Sequence, residues 1–203
     1  MLAKEKFYRL VLIKKSFLLL NIFFIYIFSE SVSLADLQKK LINKITATKT
    51  LSFDFNQKIS NEEEIGNCFI KYPLLMKCNY ENIKQKTIIS NGKTVAIIKK
   101  KYKKIYYYPI KTTPFFLILN KEKVINLIRQ NKPTEVNSNL IGFEFIDKKK
   151  NKVKIFFDRN SLEFKGWKTK DSYSNDVSFT INNLKINTQI VDSFFKIPNE
   201  EDL

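Results

Sequence analysis

The sequence of 203 residues contains no histidine. This absence excludes Ser-His-Asp and Cys-His catalytic arrangements and histidine-ligated metal sites. Two cysteines ten positions apart, without histidine, make a poor zinc site. Glycine is also scarce, and a phosphate-binding loop cannot be built from the four present, which are Gly66, Gly92, Gly142 and Gly166. The sequence therefore predicts no cofactor and no metal, and it favours a binding protein over an enzyme.

Carboxylates leave one enzyme class open, a hydrolase with paired acidic groups. The acidic side chains that matter here are those of residues 62–64, Glu144 and Asp158. They are predicted to lie in turns or on outward-facing strand positions, where they would not converge on a substrate.

Acidic residues are few relative to basic ones, with 20 Asp and Glu against 36 Lys and Arg and a net charge of +16. Such a charge invites a nucleic-acid interpretation. Two features argue against it. The N-terminal residues described next resemble an export signal, which would remove the chain from most nucleic acid, and the richness in Lys, Ile and Asn is typical of codon bias in an AT-rich genome. No nucleic-acid partner is therefore expected. The positive surface would still attract acidic partners or anionic lipid head groups.

The longest apolar run, residues 17–28, is interrupted only by Asn21 and is too short for a membrane span, which needs roughly 20 residues. It follows a basic head and precedes small residues suited to cleavage. The basic residues are Lys4, Lys6, Arg9, Lys14 and Lys15, and the small ones are Ser31, Ser33 and Ala35. Residues 1–35 are predicted to be a secretory signal peptide and residues 36–203 one domain, with an uncleaved anchor as the alternative. Because no cysteine lies near the cleavage site, a soluble mature protein is expected rather than a lipid-anchored one.

Hydrophobic periodicity predicts one helix, a long series of strands and a helical insert. Leu34, Leu37, Leu41 and Ile45 recur at helical spacing, and from residue 51 to 59 the period becomes two. Further strands are predicted at 65–71, 75–81, 86–90, 94–98, 105–108, 140–145, 153–157, 162–167 and 176–186, with turns at 61–64, 91–92, 99–104 and 147–151. The fold class is mainly β (α+β), an incomplete antiparallel barrel or strongly curved sheet with an N-terminal helix and a helical lid over its apolar concave face.

The helical insert begins with five consecutive large apolar residues at 115–119. Thr113 is predicted to cap this helix, and Pro114 suits its first position. A helix that is apolar all round must be covered on every side. It lies either in the middle of an ordinary core or as a cover over an apolar ligand. A second short helix is predicted behind it, with Val124, Leu127 and Ile128 on one face.

The two cysteines flank a predicted hairpin centred on Pro73, which places Cys68 opposite Cys78. An exported protein can oxidise such a pair. Both a cross-strand disulfide and two buried free thiols remain open.

Four motifs occur in order along the chain. They are Phe53-x-Phe55-x-Gln57-Lys58, the hairpin of residues 66–80 with Tyr72-Pro73 at its turn, Ile89-Ser90-Asn91-Gly92-Lys93-Thr94, and Thr113-Pro114-Phe115-Phe116-Leu117-Ile118. Together they resemble the motifs of the LolA family of periplasmic outer-membrane lipoprotein carriers, over most of residues 34–200. The receptor LolB shares that fold but is lipid-anchored, which the missing cysteine argues against.

The resemblance implies a monomeric periplasmic chaperone that takes triacylated lipoproteins from the inner-membrane ABC exporter LolCDE. It would deliver them to the outer membrane, through LolB where that receptor exists, without covalent chemistry. It implies an acyl-binding wall that includes Phe53, Phe55, Ile70, Met76, Phe143, Phe145, Ile155 and Phe157, and a lid formed by Pro114, Phe115, Phe116, Leu117, Ile118 and Leu119. The alternative is a periplasmic carrier of free lipid or glycolipid with the same fold.

One position departs from the family pattern. Relatives usually have an arginine before the hairpin proline, where it ties the lid shut, and this chain has Tyr72. A tyrosine hydroxyl offers one donor where a guanidinium offers five. Tyr72 and Lys77 are the candidate latch residues, and the hypothesis is a weaker latch that Tyr72→Arg would strengthen, slowing lipoprotein release.

Overall fold

The computed structural model describes residues 33–146, 152–171 and 173–203. The chain divides into two units, residues 1–37 and 38–203, and the second contains the whole sheet. The predicted turn at 147–151 lies outside the described residues, as does the predicted signal peptide apart from residues 33–35. None of the helices in the described ranges has the length and hydrophobicity of a membrane span.

The described residues form eleven strands, three α-helices and four short 3-10 turns. The strands are β1 Thr50–Ile59, β2 Glu62–Lys71, β3 Leu75–Tyr80, β4 Lys86–Asn91, β5 Thr94–Lys99, β6 Lys104–Pro109, β7 Glu135–Val136, β8 Leu140–Ile146, β9 Lys152–Asp158, β10 Phe164–Lys170 and β11 Asp176–Ile186. The helices are α1 Leu34–Ala47, α2 Phe115–Ile118 and α3 Lys121–Gln130, and the 3-10 turns are Lys100–Tyr102, Ile110–Thr112, Asp192–Phe195 and Glu200–Asp202.

All eleven strands belong to one antiparallel sheet, in the order β6-β5-β4-β3-β2-β1-β11-β10-β9-β8-β7. Neighbouring strands follow one another along the chain except at the centre, where β1 pairs with β11. The outermost strands β6 and β7 do not pair with each other, so the sheet stays open. This confirms the predicted incomplete barrel with few helices.

One face of the sheet, called here the inner face, carries the apolar positions of the alternating pattern. Directly paired residues of an antiparallel ladder lie on the same face, so the pairs Leu51–Ile70 and Phe55–Ile181 both contribute to it. All three helices lie against this face. Ile45 of α1, Ile118 of α2 and Val124 of α3 border one small cavity together with residues of β9 and β10.

The opposite face, called the outer face, is covered over β2–β6 by residues 192–203, the C-terminal segment. Ile197 and Leu203 pack against a buried cluster formed by Ile89, Ala96, Ile98 and Ile105. The rings of Phe69 and Phe194 lie edge to face with centroids 5.0 Å apart. The sheet is therefore apolar on both faces in this half, which the sequence analysis did not predict.

Several element boundaries differ from the sequence-based expectations. Residues 62–64 begin β2 instead of forming a turn, and β10 begins at Phe164. Asn91 is the last residue of β4, and its side-chain oxygen accepts hydrogen bonds from the N–H groups of Lys93 and Thr94 at 3.0 and 2.9 Å. The hairpin turn thus lies one residue later than the Asn-Gly signal indicated, because asparagine supports the turn through its side chain.

Candidate functional site

The eight residues predicted to form the wall all lie on the inner face. They come from five strands and are each 6% exposed or less: Phe53, Phe55, Ile70, Met76, Phe143, Phe145, Ile155 and Phe157. Cross-strand pairs place them side by side, with Ile70 opposite Met76 and Phe143 opposite Ile155. The structure thus brings these residues together on one apolar surface.

Three aromatic residues that the sequence analysis left unassigned connect the two halves of this surface. The ring of Phe179 stacks on Phe55 at 4.6 Å and on Trp167 at 3.9 Å between centroids. Phe164 continues the series, 5.9 Å from Trp167 and 5.8 Å from Phe157. Alternation in β11 was a signal for Phe179, whereas Phe164 and Trp167 are three residues apart in β10 because the register shifts between Phe164 and Gly166.

Helix α2 lies where the lid was predicted. Ile118 and Leu119 are buried, whereas Phe115, Phe116 and Leu117 are half-buried. The Leu119 carbonyl accepts a hydrogen bond from the N–H of Leu74, in the turn between β2 and β3, at 3.1 Å. This bond ties the end of α2 to the wall hairpin.

Thr113 does not cap α2 as the sequence predicted. Its hydroxyl donates to the Ile110 carbonyl at 2.8 Å, because the preceding 3-10 turn leaves that carbonyl within reach. Pro114 occupies the cap position instead. The next helix is capped by a side chain, since Asn120 accepts a hydrogen bond from the N–H of Lys123 at 3.1 Å. The buried face of that helix is Val124, Ile125 and Ile128, with Leu127 only half-buried.

One cavity lies between the helices and the inner face, and it is small. It measures about 20 Å³ and is bordered on the sheet side by Ile155, Phe157 and Phe164. A dry apolar cavity that accepts one benzene molecule is on the order of 150 Å³. This cavity is therefore too small to hold an acyl chain unless α2 and α3 move.

A lysine of α3 occupies the position next to Tyr72. The ammonium of Lys121 donates hydrogen bonds to the carbonyls of Thr46 and Thr48 at 3.0 and 3.1 Å, and it lies 5.9 Å from the centroid of the Tyr72 ring. These carbonyls are at the C-terminal end of α1, where the helix dipole favours a cation. Burial raises the pKa of the Tyr72 hydroxyl above its ordinary value.

Lys77, the second candidate latch residue, is not brought to the lid. It lies on the outer face, where its ammonium is 4.4 Å from the centroid of the Phe194 ring. Burial, and to a smaller extent the neighbouring charge of Lys100, lowers its pKa. Because side chains alternate along β3, the inward position of Met76 requires Lys77 to face outward.

Cys68 and Cys78 lie directly opposite each other on β2 and β3 and form a disulfide. Both are buried, at 0% and 2% exposure. Phe53 pairs with Cys68 on one side and Ile88 with Cys78 on the other, so the bridge belongs to the inner face.

The inner face ends in a polar cluster at the edge away from the β2–β3 turn. The Glu64 carboxylate forms an ion pair with the ammonium of Lys86 and accepts a hydrogen bond from Asn82 at 2.8 Å. The Tyr80 hydroxyl donates to the Gln57 side-chain oxygen, also at 2.8 Å. Burial lowers the pKa of Lys86, while its partner Glu64 opposes that shift. The sequence analysis missed this cluster because it assigned residues 62–64 to a turn.

A family model supports the identification suggested by the motifs. The model described as "Outer membrane lipoprotein carrier protein LolA" matches residues 46–198, which is more than half of the chain. The chain belongs to the LolA family. The resemblance drawn from the sequence is thereby confirmed.

Curated relatives of this LolA-family chain carry the same description. A protein of Francisella tularensis subsp. tularensis (strain WY96-3418) named "Outer-membrane lipoprotein carrier protein" is 29% identical over 203 residues, covering 89% of this chain and 93% of its own length. A protein of the same name from Francisella tularensis subsp. novicida (strain U112) is 28% identical, with coverages of 88% and 92%.

Among solved structures, an uncharacterized conserved protein from Thermus thermophilus matches with a TM-score of 0.50 and 7% identity. The match covers 82% of this chain and 95% of that one, and it shows a shared fold alone. The LolA-family match includes the end of α1, all eleven strands, helices α2 and α3, and the first part of the C-terminal segment.

Proposed function

We propose that this LolA-family protein is a periplasmic lipoprotein carrier that shields acyl chains between the inner face and the lid. One observation carries the proposal. The sheet is open, its inner face is apolar and rich in aromatic residues, and a separate apolar helix packs over that face. Each acyl methylene removed from water contributes about 0.8 kcal/mol, so long chains need such a shelter. Family membership supports lipoprotein as the cargo.

The lid residues and the eight wall residues act in the proposal as two halves of one site. In the closed conformation Ile118 and Leu119 occupy the apolar surface that acyl chains would cover. Cargo and lid compete for the same wall, so binding displaces the lid and release lets it return. This exchange needs no covalent step and no cofactor.

The latch in this chain is Lys121, with Tyr72 beneath it. In the relatives the cation is an arginine of the wall, whereas here a cation of the lid-side helix α3 reaches carbonyls at the end of α1. The positive charge thus lies on α3 instead of on the wall hairpin, and it still forms a polar contact that holds α3 in place. The aromatic ring then supplies packing and a weak cation–π attraction.

The proposed exchange partners are those that the family resemblance implies. The carrier would receive triacylated lipoproteins from the inner-membrane exporter LolCDE and deliver them to the outer membrane, with LolB as receptor where the cell has one. The predicted signal peptide would place the protein in the periplasm, where it would act as a monomer.

The test is release of a labelled lipoprotein from spheroplasts by the purified chain without residues 1–35. We expect a soluble one-to-one complex that contains the acylated protein, identified by native mass spectrometry. The same lipoprotein with its acylated cysteine replaced by serine is the control and should not form the complex.

Two results would contradict the proposal. If the protein releases nothing but binds free acyl lipid in solution, the function is lipid transport on the same fold. If the unacylated control forms the complex equally well, the inner face is not the binding site.

A further inference from the structure

A strongly basic turn projects from one end of the sheet. The turn between β5 and β6 and its flanks contain five lysines in six residues: Lys99, Lys100, Lys101, Lys103 and Lys104. All but Lys99 are exposed, and no ion pair in the described part of the chain involves any of the five. These charges are therefore available to a partner.

An exposed apolar residue lies beside this turn. Lys86 at the start of β4 pairs with Lys99 at the end of β5, so the loop of residues 81–85 and the basic turn lie at the same end of the sheet. Ile83 in that loop is 82% exposed, and Lys84 next to it is also exposed. An isoleucine this exposed has little contact with its own protein.

Four tyrosines extend the same region onto the edge of the sheet. Tyr102 lies in the basic turn, and Tyr106, Tyr107 and Tyr108 follow along the edge strand β6, with exposures of 43–55%. Alternation along a strand normally hides one residue in two, yet all three consecutive tyrosines remain accessible. Tyr107 and Tyr108 lead away from the turn, since Tyr108 pairs with Val95 near the other end of β5. We call Tyr102, Tyr106, the five lysines, Ile83 and Lys84 the end patch.

Nearby acidic groups do not balance the end patch. The Glu200 carboxylate accepts a hydrogen bond from the N–H of Ile105 at 3.1 Å, and Glu81 precedes the apolar loop. Glu201 and Asp202 are the remaining acids of the C-terminal segment close to β6. Apart from the Lys86–Glu64 ion pair beside the loop, six lysines thus face these four carboxylates, and five of the lysines belong to the projecting turn and its flanks.

We propose that the end patch docks the protein on the surface of a bilayer that contains anionic phospholipid. Each lysine near such a surface raises the binding constant for the bilayer on the order of fivefold. Tyrosine and isoleucine suit the boundary between head groups and acyl chains, where a ring keeps its hydroxyl in water. Nucleic acid would match the charge alone, whereas a bilayer also matches the exposed apolar and aromatic side chains.

Docking of this kind is reversible and depends on salt. Charges at the surface are screened over about 10 Å at 0.1 M salt and about 3 Å at 1 M. A carrier that leaves the membrane with its cargo needs such a weak contact. The inference does not depend on the proposed function, because vesicles without any lipoprotein test it.

The experiment is co-sedimentation of the exported, processed protein with vesicles of phosphatidylglycerol and phosphatidylcholine, compared with phosphatidylcholine alone. We expect binding to the anionic vesicles only, with loss at 1 M salt. Lys100→Gln, Lys101→Gln and Lys103→Gln together should weaken binding by roughly a hundredfold. The matched control replaces Lys39, Lys40 and Lys132, exposed lysines outside the end patch, and should retain most of the binding.

A second variant separates the aromatic and apolar contribution from charge. Ile83→Ser with Tyr102→Ser should lower the binding that remains at moderate salt by at least tenfold while leaving the circular dichroism spectrum unchanged. Equal binding to both kinds of vesicle, no binding to either, or an equal loss in the patch and control triple variants would each overturn the proposal. Binding to an acidic protein with no binding to vesicles would assign the patch to a protein partner instead.

Discussion

At the scale of single residues, the proposed lid of this LolA-family protein depends on how one charge is placed. The family pattern places a cation on the wall before the hairpin proline, and the chain has Tyr72 there. The structure shows a cation arriving from the other side, since Lys121 of α3 reaches the carbonyls of Thr46 and Thr48. We propose that this contact of Lys121 takes the place of the latch that the family resemblance implies.

Replacing this cation tests the latch. Lys121→Gln keeps much of the length of the side chain but removes the charge that favours the end of α1, so we expect a loss of about 1 kcal/mol in lid closure. Amide hydrogen exchange in α3 should become roughly fivefold faster, while the strands are unaffected. Lys132→Gln, just beyond α3, is the control, and equal exchange in both variants would rule out the latch.

Tyr80 gives a prediction about alkaline pH. Burial, with a smaller contribution from Glu64, raises the pKa of its hydroxyl above the ordinary value of 10. The unfolded chain loses this proton near pH 10 and the folded chain keeps it, so the stability that the tyrosine contributes is present below pH 10 and falls above it.

Urea unfolding of Tyr80→Phe measures the effect. At pH 8 the variant should be about 1 kcal/mol less stable, because it lacks the hydrogen bond to Gln57. The difference between the two proteins should shrink at pH 10.5 and above, since only the parent has a hydroxyl to ionise. A difference that stays constant with pH would show that the hydroxyl is not protected by burial.

At the scale of elements, the β2–β3 hairpin is the best-secured part of the wall. Its strands pair from Gly66–Tyr80 to Lys71–Leu75, with the disulfide between Cys68 and Cys78 in the middle. The same hairpin receives the lid through the Leu74–Leu119 hydrogen bond. In the proposed function, a rigid hairpin therefore presents a fixed contact to the helix that opens.

Removing the disulfide should lower the free energy of unfolding. A bridge that closes a loop of this length contributes roughly 3 kcal/mol by restricting the unfolded chain. Cys68→Ala with Cys78→Ala should lose about that amount in urea unfolding, and reduction of the parent protein should produce a similar loss. Two free thiols in the unreduced, denatured parent would contradict the bridge.

The C-terminal segment gives a second prediction at this scale. Phe195 is 1% exposed, whereas the adjacent Phe194 is half-buried. Phe195→Ala should cost about 3 kcal/mol or more, as deletions of buried phenylalanine do. Phe194→Ala is the matched control, and its cost in thermal unfolding should be smaller. Equal costs would show that the segment does not cover the outer face as described.

The sequence was informative for elements whose pattern has a clear period. Alternation in β1 and β9 predicted both the strands and their inward residues, including Phe53 and Ile155, because one face of each strand is buried. The C-terminal segment has no period, and its contacts with Ile89 and Ile98 depend on chain distant in sequence. The role of Lys121 was likewise hidden, since its partners are carbonyls of α1 that only the tertiary fold brings close.

For the whole molecule, the proposed function makes closure of the lid and binding of cargo alternatives. The cavity of about 20 Å³ bordered by α1, α2, α3, β9 and β10 is too small for an acyl chain while the helices stay in place. In the proposal, opening exposes apolar wall and lid together, and cargo stabilises the open state by covering both.

Locking the lid tests this competition. Leu74 and Leu119 are joined by a backbone hydrogen bond, so cysteines at both positions should crosslink α2 to the hairpin. We expect the oxidised variant to take up no lipoprotein from spheroplasts and the same protein, with the new bridge selectively reduced, to recover uptake. Full uptake by the crosslinked form would mean that cargo binds elsewhere.

The pairing of β1 with β11 bears on how the protein reaches its folded state. Leu51 lies opposite Ile186, so the centre of the sheet joins the beginning of the domain to a strand near its end. Contacts between residues this far apart in sequence slow folding, because a long loop must close before they form. The stacked rings of Phe55, Phe179 and Trp167 are likewise complete only when β10 and β11 are available. A chain threaded through a secretion pore from its N-terminus would therefore stay unfolded until most of it had crossed, which is the state that such a pore accepts.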